Sequence, residues 1–123
     1  MKVVVTLARI LMGFIFGVLG FNGFFFFLKG PMPTGLALTF FDVMIKSHYG
    51  VMVFGVQIIC GILLLLNRYV PLAIVTLAAV LVNIFTYHIT MLPSGLPIPI
   101  FVLILWFIVA WSVRDRFTSL LAP

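Results

Sequence analysis

Apolar residues run along this chain in four long stretches, and turn-forming residues separate them. The stretches cover residues 3–28, 49–66, 70–92 and 96–113. As a helix with a rise of about 1.5 Å per residue, each stretch crosses or nearly crosses a hydrocarbon core of about 30 Å. A helix is expected, because backbone groups in lipid must be hydrogen-bonded within their own segment. The pattern predicts an all-α fold, an antiparallel four-transmembrane-helix bundle that forms a single domain over residues 1–123.

The three connections between the stretches differ in length. Asn67 and Arg68 mark a tight second turn, and the third turn contains Pro93, Gly95, Pro97 and Pro99. Such short turns predict that consecutive helices are antiparallel neighbours. The first connection is longer, and Thr34 is placed to N-cap a short interfacial helix over residues 34–46. The apolar face of that helix is expected to carry Leu36, Phe40, Phe41 and Met44.

Composition identifies lipid as the main solvent of the chain. Hydrophobic residues make up 65% of the sequence, charged residues make up 7%, and the mean hydropathy is +1.41. These values lie far outside the range of soluble globular domains. The net charge of +5 comes from scattered Lys and Arg residues that form no run, so we expect no nucleic-acid partner.

The positions of the basic residues predict the orientation of the spans. One side of the membrane is expected to carry Lys2, Arg9, Arg68, Arg114 and Arg116, and the other side Lys29 and Lys46. Because cytoplasmic ends carry an excess of Lys and Arg, both termini are predicted to be cytoplasmic. Within the first stretch, Gly13, Gly17 and Gly20 form a face that another helix can approach closely. This face is compatible with a homo-oligomer.

Arg9 is the most conspicuous charge within a span. It lies about 9 Å along the helix from Val3, on the side where Asp115 follows the fourth span. Three interpretations are open: an ion pair with Asp115, a side chain that snorkels to the interface, or a contact with an anionic ligand or lipid headgroup.

Three amide side chains form a second group of polar residues. Asn22, Gln57 and Asn83 lie on three different spans at depths of roughly 9 to 13 Å from the outer ends. They either hydrogen-bond between helices or form a polar pocket that binds a small molecule. Tyr87 lies one turn from Asn83, and His88 follows it, so both are further candidates for contact with the ligand.

Chemistry beyond binding has little support in the sequence. A soft copper(I) site would suit Met44, His48, Met52, His88 and Met91, and the two histidines are also a candidate haem pair. Methionine is common in apolar spans, so we expect neither metal nor haem. The only carboxylates are Asp42, expected to pair with Lys46 at i+4, and Asp115. Cys60 is the only cysteine and is expected to be a buried, unreactive thiol. With two separate carboxylates and one buried thiol, the sequence assigns no catalytic residue.

Four segments of the chain carry a family resemblance: ARILMGFIFGVLGFNGFFFFL, GVQIICGILLLLNRYVPLA, VNIFTYH and WSVRDRF. In this order they resemble the DoxX-like family of small four-helix membrane proteins, over nearly the whole chain. The matching positions are Arg9, residues 61–67 with Arg68 and Pro71, and Asn83 with His88. Gln57 departs from the pattern, because relatives often carry a glutamate there. A proton relay at that depth is therefore not expected, although a neutral amide still binds ligands.

The resemblance implies an accessory or anchoring membrane subunit of a redox system in the bacterial inner membrane. Family members include membrane subunits of thiosulfate:quinone oxidoreductases and of a mycobacterial oxidoreductase complex. The cofactor stays unassigned, with a quinone as one candidate, and a soluble redox protein is a candidate partner. Two alternatives stay open, a binding or transport helper for a small lipophilic molecule and a membrane oxidoreductase in its own right.

Overall fold

The computed structural model describes residues 2–25 and 34–123, and all regular elements in this part of the chain are helical. The α-helices are α1 (Lys2–Phe25), α2 (Gly35–Lys46), α3 (Tyr49–Leu66), α4 (Val70–Met91) and α5 (Pro97–Ser112). Short 3-10 turns follow α4 at Pro93–Gly95 and α5 at Arg114–Phe117. The predicted all-α class is confirmed for the described residues.

Three helices are long and apolar enough to cross a membrane: Lys2–Gly23 within α1, α3 and α4. The predicted limits of the second and third spans agree with α3 and α4 to within one residue, whereas the predicted end of the first span at residue 28 lies outside the described residues. α5 is shorter, with 16 residues and a rise of about 24 Å. It begins at Pro97 because proline lacks an N–H and fits the first helical turn. The helices indicate a membrane-embedded protein.

α1, α3, α4 and α5 pack in a ring, in which each helix contacts two neighbours. α1 and α4 each pack against both α3 and α5, and α2 lies against α3 and α4. The interior side chains come from all four long helices: Met12, Phe16, Leu64, Ile74, Leu77 and Val109 are fully buried. Outside this core, large apolar side chains such as Phe14, Leu66, Leu72 and Phe107 are exposed. An apolar exterior of this extent is suited to contact with lipid.

The closest backbone approach joins α1 and α3. A Cβ atom on Gly61 would lie 2.7 Å from the carbonyl oxygen of Gly13 and 2.8 Å from the amide nitrogen of Gly17. A Cβ atom on Gly20 would lie 2.9 Å from the carbonyl oxygen of Phe54. The predicted glycine face is therefore a helix contact, and the helix that covers it is α3 of the same chain. Its existence no longer favours a homo-oligomer.

α2 lies in the first connection, with Thr34 at its N-cap position. The Thr34 backbone is extended there (φ −125°, ψ 167°), but its side chain makes no capping hydrogen bond. The residues expected on the apolar face of α2 differ in burial. Met44 is buried, whereas Leu36 is 71% exposed. Phe40 is also exposed, although its ring lies 5.4 Å from that of Tyr87 between centroids.

The turn between α3 and α4 is as tight as predicted. Asn67 adopts the left-handed conformation (φ 56°), which asparagine tolerates better than most residues. Its N–H donates to the Leu64 carbonyl (3.2 Å), and the Arg68 N–H donates to the Leu63 carbonyl (3.0 Å). This pair of bonds is a Schellman motif, which ends α3 sharply.

Candidate functional site

A cavity of about 880 Å³ opens between the first half of α1, the turn after α3 and the last turns of α5. Its basic residues are Lys2, Arg9 and Arg114. Its neutral polar residues are Thr6, Asn67 and Ser112. Its apolar wall includes Val4, Val5, Val70, Phe107, Ile108, Val109, Trp111 and Val113. We call this cavity the basic groove, because none of the described residues that line it is acidic.

Arg9 enters the groove from α1 and is held by the end of α3. Its Nη1 donates to the Leu64 carbonyl and lies 3.5 Å from the Leu65 carbonyl oxygen. The last carbonyls of a helix lie at the negative end of the helix dipole, so they attract a cation even where a backbone N–H already bonds one of them, as the Asn67 N–H bonds the Leu64 carbonyl. The guanidinium therefore caps α3 from a neighbouring helix. This contact explains why a cation lies within the first apolar stretch.

The ion pair between Arg9 and Asp115, one of the three interpretations of Arg9 from the sequence, is not formed. Within the described residues, the ion pair that the structure contains joins Lys46 to Asp42, with 2.9 Å between Nζ and Oδ2. That i, i+4 pair was predicted from the sequence and is confirmed. Asp115 is exposed in the turn after α5, where its carbonyl accepts the Thr118 hydroxyl at 3.1 Å.

Arg114 closes the groove from the side of α5. Its guanidinium carbon lies 4.5 Å from the centroid of the Trp111 ring, a cation–π geometry, and its Nη1 donates to the Trp111 carbonyl at 2.8 Å. A guanidinium carries five N–H donors, so Arg114 and Arg9 both retain donors beyond these bonds. Trp111 itself is 67% exposed, as is typical of an aromatic residue at a membrane interface.

The arrangement combines positive charge with an apolar wall. Planar guanidinium groups suit the paired oxygens of carboxylate and phosphate. The wall of valine and aromatic side chains suits a hydrocarbon chain. The chemistry of the groove therefore fits an amphiphile whose polar end is anionic or rich in hydrogen-bond acceptors.

The five ligand candidates from the sequence lie outside this groove: Asn22, Gln57, Asn83, Tyr87 and His88. Gln57 is only 6% exposed in the interior, whereas Asn83 is exposed and its Nδ2 donates to the Ala79 carbonyl of its own helix at 2.9 Å. None of the three amides thus lines the basic groove or the smaller cavity beside Met44 and His48. Asn22 is half-buried and has a partner of its own.

Tyr87 and His88 are brought together, edge to face, with 5.1 Å between ring centroids. The Nδ1 atom of His88 lies 2.8 Å from the Ile84 carbonyl oxygen, one turn earlier on α4. Gly95 packs closely on the same imidazole, since a Cβ atom there would lie 2.7 Å from Cδ2 of His88. A ligand role for these residues stays a prediction.

The structure places two of the residues considered for copper at one small cavity. Met44 and His48 line a smaller cavity of about 210 Å³ together with Phe54, but Met52, His88 and Met91 do not line it. His48 has a left-handed backbone (φ 64°) at the start of α3 and is exposed. The described residues also contain no cluster of three or more His, Cys, Asp or Glu side chains suited to a metal ion.

The sequence pattern does not identify several residues of the basic groove as parts of a site. It marks Lys2 and Arg114 only as indicators of orientation, and it does not distinguish Thr6 and Ser112 from the rest of their segments. The signal that points to them is the coincidence of basic residues with Trp111 at the end of the same span. No family model matches this chain, and neither a curated protein nor a solved structure matches it.

Proposed function

We propose that this chain is a four-span integral membrane protein that binds a small lipophilic molecule in the basic groove. In this arrangement α1, α3, α4 and α5 cross the bilayer in alternating directions, with both termini in the cytoplasm. The molecule enters sideways from the cytoplasmic leaflet. The protein then serves as a binding or transport helper for that molecule.

The proposal that α5 is a fourth span needs support beyond its length. α5 packs against α1 and α4, as a bundle member does, and Phe101, Ile104 and Phe107 are exposed along it. Its rise of about 24 Å is shorter than an average hydrocarbon core of about 30 Å. A short span is accommodated by local thinning of the bilayer and by snorkelling of flanking residues. Arg114, which follows α5, is placed to snorkel to the membrane surface.

The observation that carries the function is the basic groove itself. Its volume of about 880 Å³ falls within the range of small-molecule sites, about 300 to 1,000 Å³. It also has the composition of such sites, a mostly apolar wall with a few polar groups. Arg9 is already fixed by the end of α3, so one of these polar groups is preorganised.

The test fills the groove with a larger side chain. Val5 lines the groove, whereas Val3 is exposed on the same helix and does not line it. We expect Val5→Phe to lower labelling by a photoactivatable lipophile by about tenfold, equivalent to about 1.4 kcal/mol, because the ring occupies the binding volume. Labelling is measured by mass spectrometry of peptides from α1 and α5 after irradiation in bilayers.

Val3→Phe is the matched control, with the same substitution at a position that faces away from the groove. Its labelling should equal that of the wild type. Labelling that is the same in all three proteins, or that falls equally in both variants, would contradict a ligand site in the groove.

The DoxX-like segments favour a second candidate function, an accessory or anchoring subunit of a redox system. A quinone is lipophilic, and its carbonyl oxygens would accept hydrogen bonds from the guanidinium groups of the groove. Gentle extraction from the native membrane, followed by an absorbance spectrum and a search for a co-purifying soluble redox protein, tests this candidate. A spectrum with aromatic absorbance alone and no partner would count against it.

A further inference from the structure

The charges of the basic groove distinguish between classes of lipophilic ligand. We infer that the groove selects an anionic phosphate headgroup and that its occupant is an anionic phospholipid of the surrounding membrane. This inference rests on the proposed binding function and adds the identity of the ligand's polar end.

The first step concerns charge. Lys2, Arg9 and Arg114 all line the groove, and the described lining residues include no carboxylate. A phosphate diester accepts charge-assisted hydrogen bonds from such groups. A zwitterionic headgroup adds an ammonium group, for which the lining offers no anionic partner. The groove therefore attracts the anionic headgroup and discriminates against the zwitterionic one.

The second step concerns depth. Lys2 begins α1 and Arg114 lies two residues beyond the end of α5, while Arg9 lies about 10 Å deeper along α1 than Lys2. The cations therefore extend from the membrane surface to the end of α3. A headgroup held between them lies at the level of the interface, where lipid phosphates are found.

The third step separates a lipid from a free anion. Phe107 and Trp111 line the same groove and are both largely exposed. An inorganic phosphate would leave this apolar wall uncovered, whereas the acyl chains of a lipid cover it and continue into the bilayer. The wall thus favours the lipid as the source of the phosphate.

Tryptophan fluorescence provides the test, because the chain contains two tryptophans. Trp106 is partly buried, and its Nε1 donates to the Ile74 carbonyl at 2.9 Å, so Trp106→Phe leaves Trp111 as a reporter within the groove wall. This protein is reconstituted in phosphatidylcholine bilayers that contain a minor fraction of brominated lipid. We expect brominated phosphatidylglycerol to quench Trp111 at lower mole fraction than brominated phosphatidylcholine, by about fivefold or more.

Matched charge removals show whether the groove causes this preference. Arg114 lines the groove, whereas Arg116 is exposed two residues later and does not line it. In the Trp106→Phe background, Arg114→Gln should reduce the preference for phosphatidylglycerol by about fivefold, because the headgroup loses a charge-assisted hydrogen bond inside the groove. Arg116→Gln, with the same loss of charge, should retain the preference.

Each other outcome overturns a defined part of the inference. Equal quenching by the two lipids, or equal losses in the two arginine variants, would overturn headgroup selection. Inorganic phosphate that abolishes the preference, when chloride of the same ionic strength does not, would identify a free ion and overturn the lipid assignment. Val5→Phe separates ligand binding from headgroup selection. If this substitution lowers quenching by both lipids, the proposed binding function survives even when headgroup selection fails.

Discussion

Arg9 shows how a charged side chain is accommodated within an apolar span. A cation at the centre of a transmembrane helix costs about 2.5 to 3.5 kcal/mol on insertion scales. Here the guanidinium meets the Leu64 and Leu65 carbonyls at the C-terminal end of α3, where the helix dipole places partial negative charge. This contact lowers the cost of the charge, and on the Leu64 carbonyl it adds a second donor to the Asn67 N–H.

Replacement of Arg9 should destabilise the fold. We expect Arg9→Met to lower the free energy of unfolding by about 1 to 3 kcal/mol, because the charge-assisted hydrogen bond from Arg9 to the Leu64 carbonyl is lost, and Arg9→Lys to recover part of that loss. Denaturant unfolding in mild detergent micelles measures both. Arg68→Met is the control, since Arg68 is an exposed residue at the same end of the molecule. Similar losses for Arg9→Met and Arg68→Met would show that the cap contributes nothing specific.

The amides show which properties of a residue can be predicted from sequence. Depth along a helix follows from counting residues, so the positions of Asn22, Gln57 and Asn83 along their spans could be predicted. The direction of a side chain depends on the rotation of its helix against its neighbours, which no local pattern specifies for an almost uniformly apolar span. Asn83 consequently lies exposed on α4 while Gln57 is buried.

At the scale of elements, the helix limits were predictable because they are local. Asn67 ends α3 through its left-handed backbone, and Pro97 starts α5. The basic groove was not predictable in the same way. It needs Lys2 of α1 in the same cavity as Arg114, which follows α5 near the other end of the sequence. That arrangement follows only from the packing of α1 against α5.

The α1–α3 contact depends on the absence of side chains at particular glycines. We expect Gly61→Ala to destabilise the protein by about 1 to 3 kcal/mol, because the added methyl group meets backbone atoms of Gly13 and Gly17 that cannot move independently of α1. Thermal unfolding followed by circular dichroism in detergent measures the change.

Gly17→Ala is the matched control in the same interface. A Cβ atom there would meet no atom within 4 Å, and alanine favours a helix over glycine by up to about 1 kcal/mol. The variant should therefore be neutral or stabilising. A loss of stability at Gly17 as large as that at Gly61 would contradict the described packing.

At the scale of the whole molecule, charge and apolar surface are distributed unequally. Lys2, Arg9 and Arg114 meet in one groove beside Asn67, at the end of the molecule where the orientation pattern also places Arg68 and Arg116. The exterior of the helices is apolar. A ligand that reaches such a groove through the bilayer must itself be soluble in lipid, and its polar end must suit a cationic surface.

The most direct test of a ligand site in the basic groove is native mass spectrometry of gently extracted protein, comparing the wild type with Val5→Phe and Asn83→Leu. We predict that the wild type and Asn83→Leu retain a bound amphiphile and that Val5→Phe loses it, because Val5 lines the groove and Asn83 does not. Retention by Val5→Phe together with loss from Asn83→Leu would place the ligand at the amides and contradict a site in the basic groove.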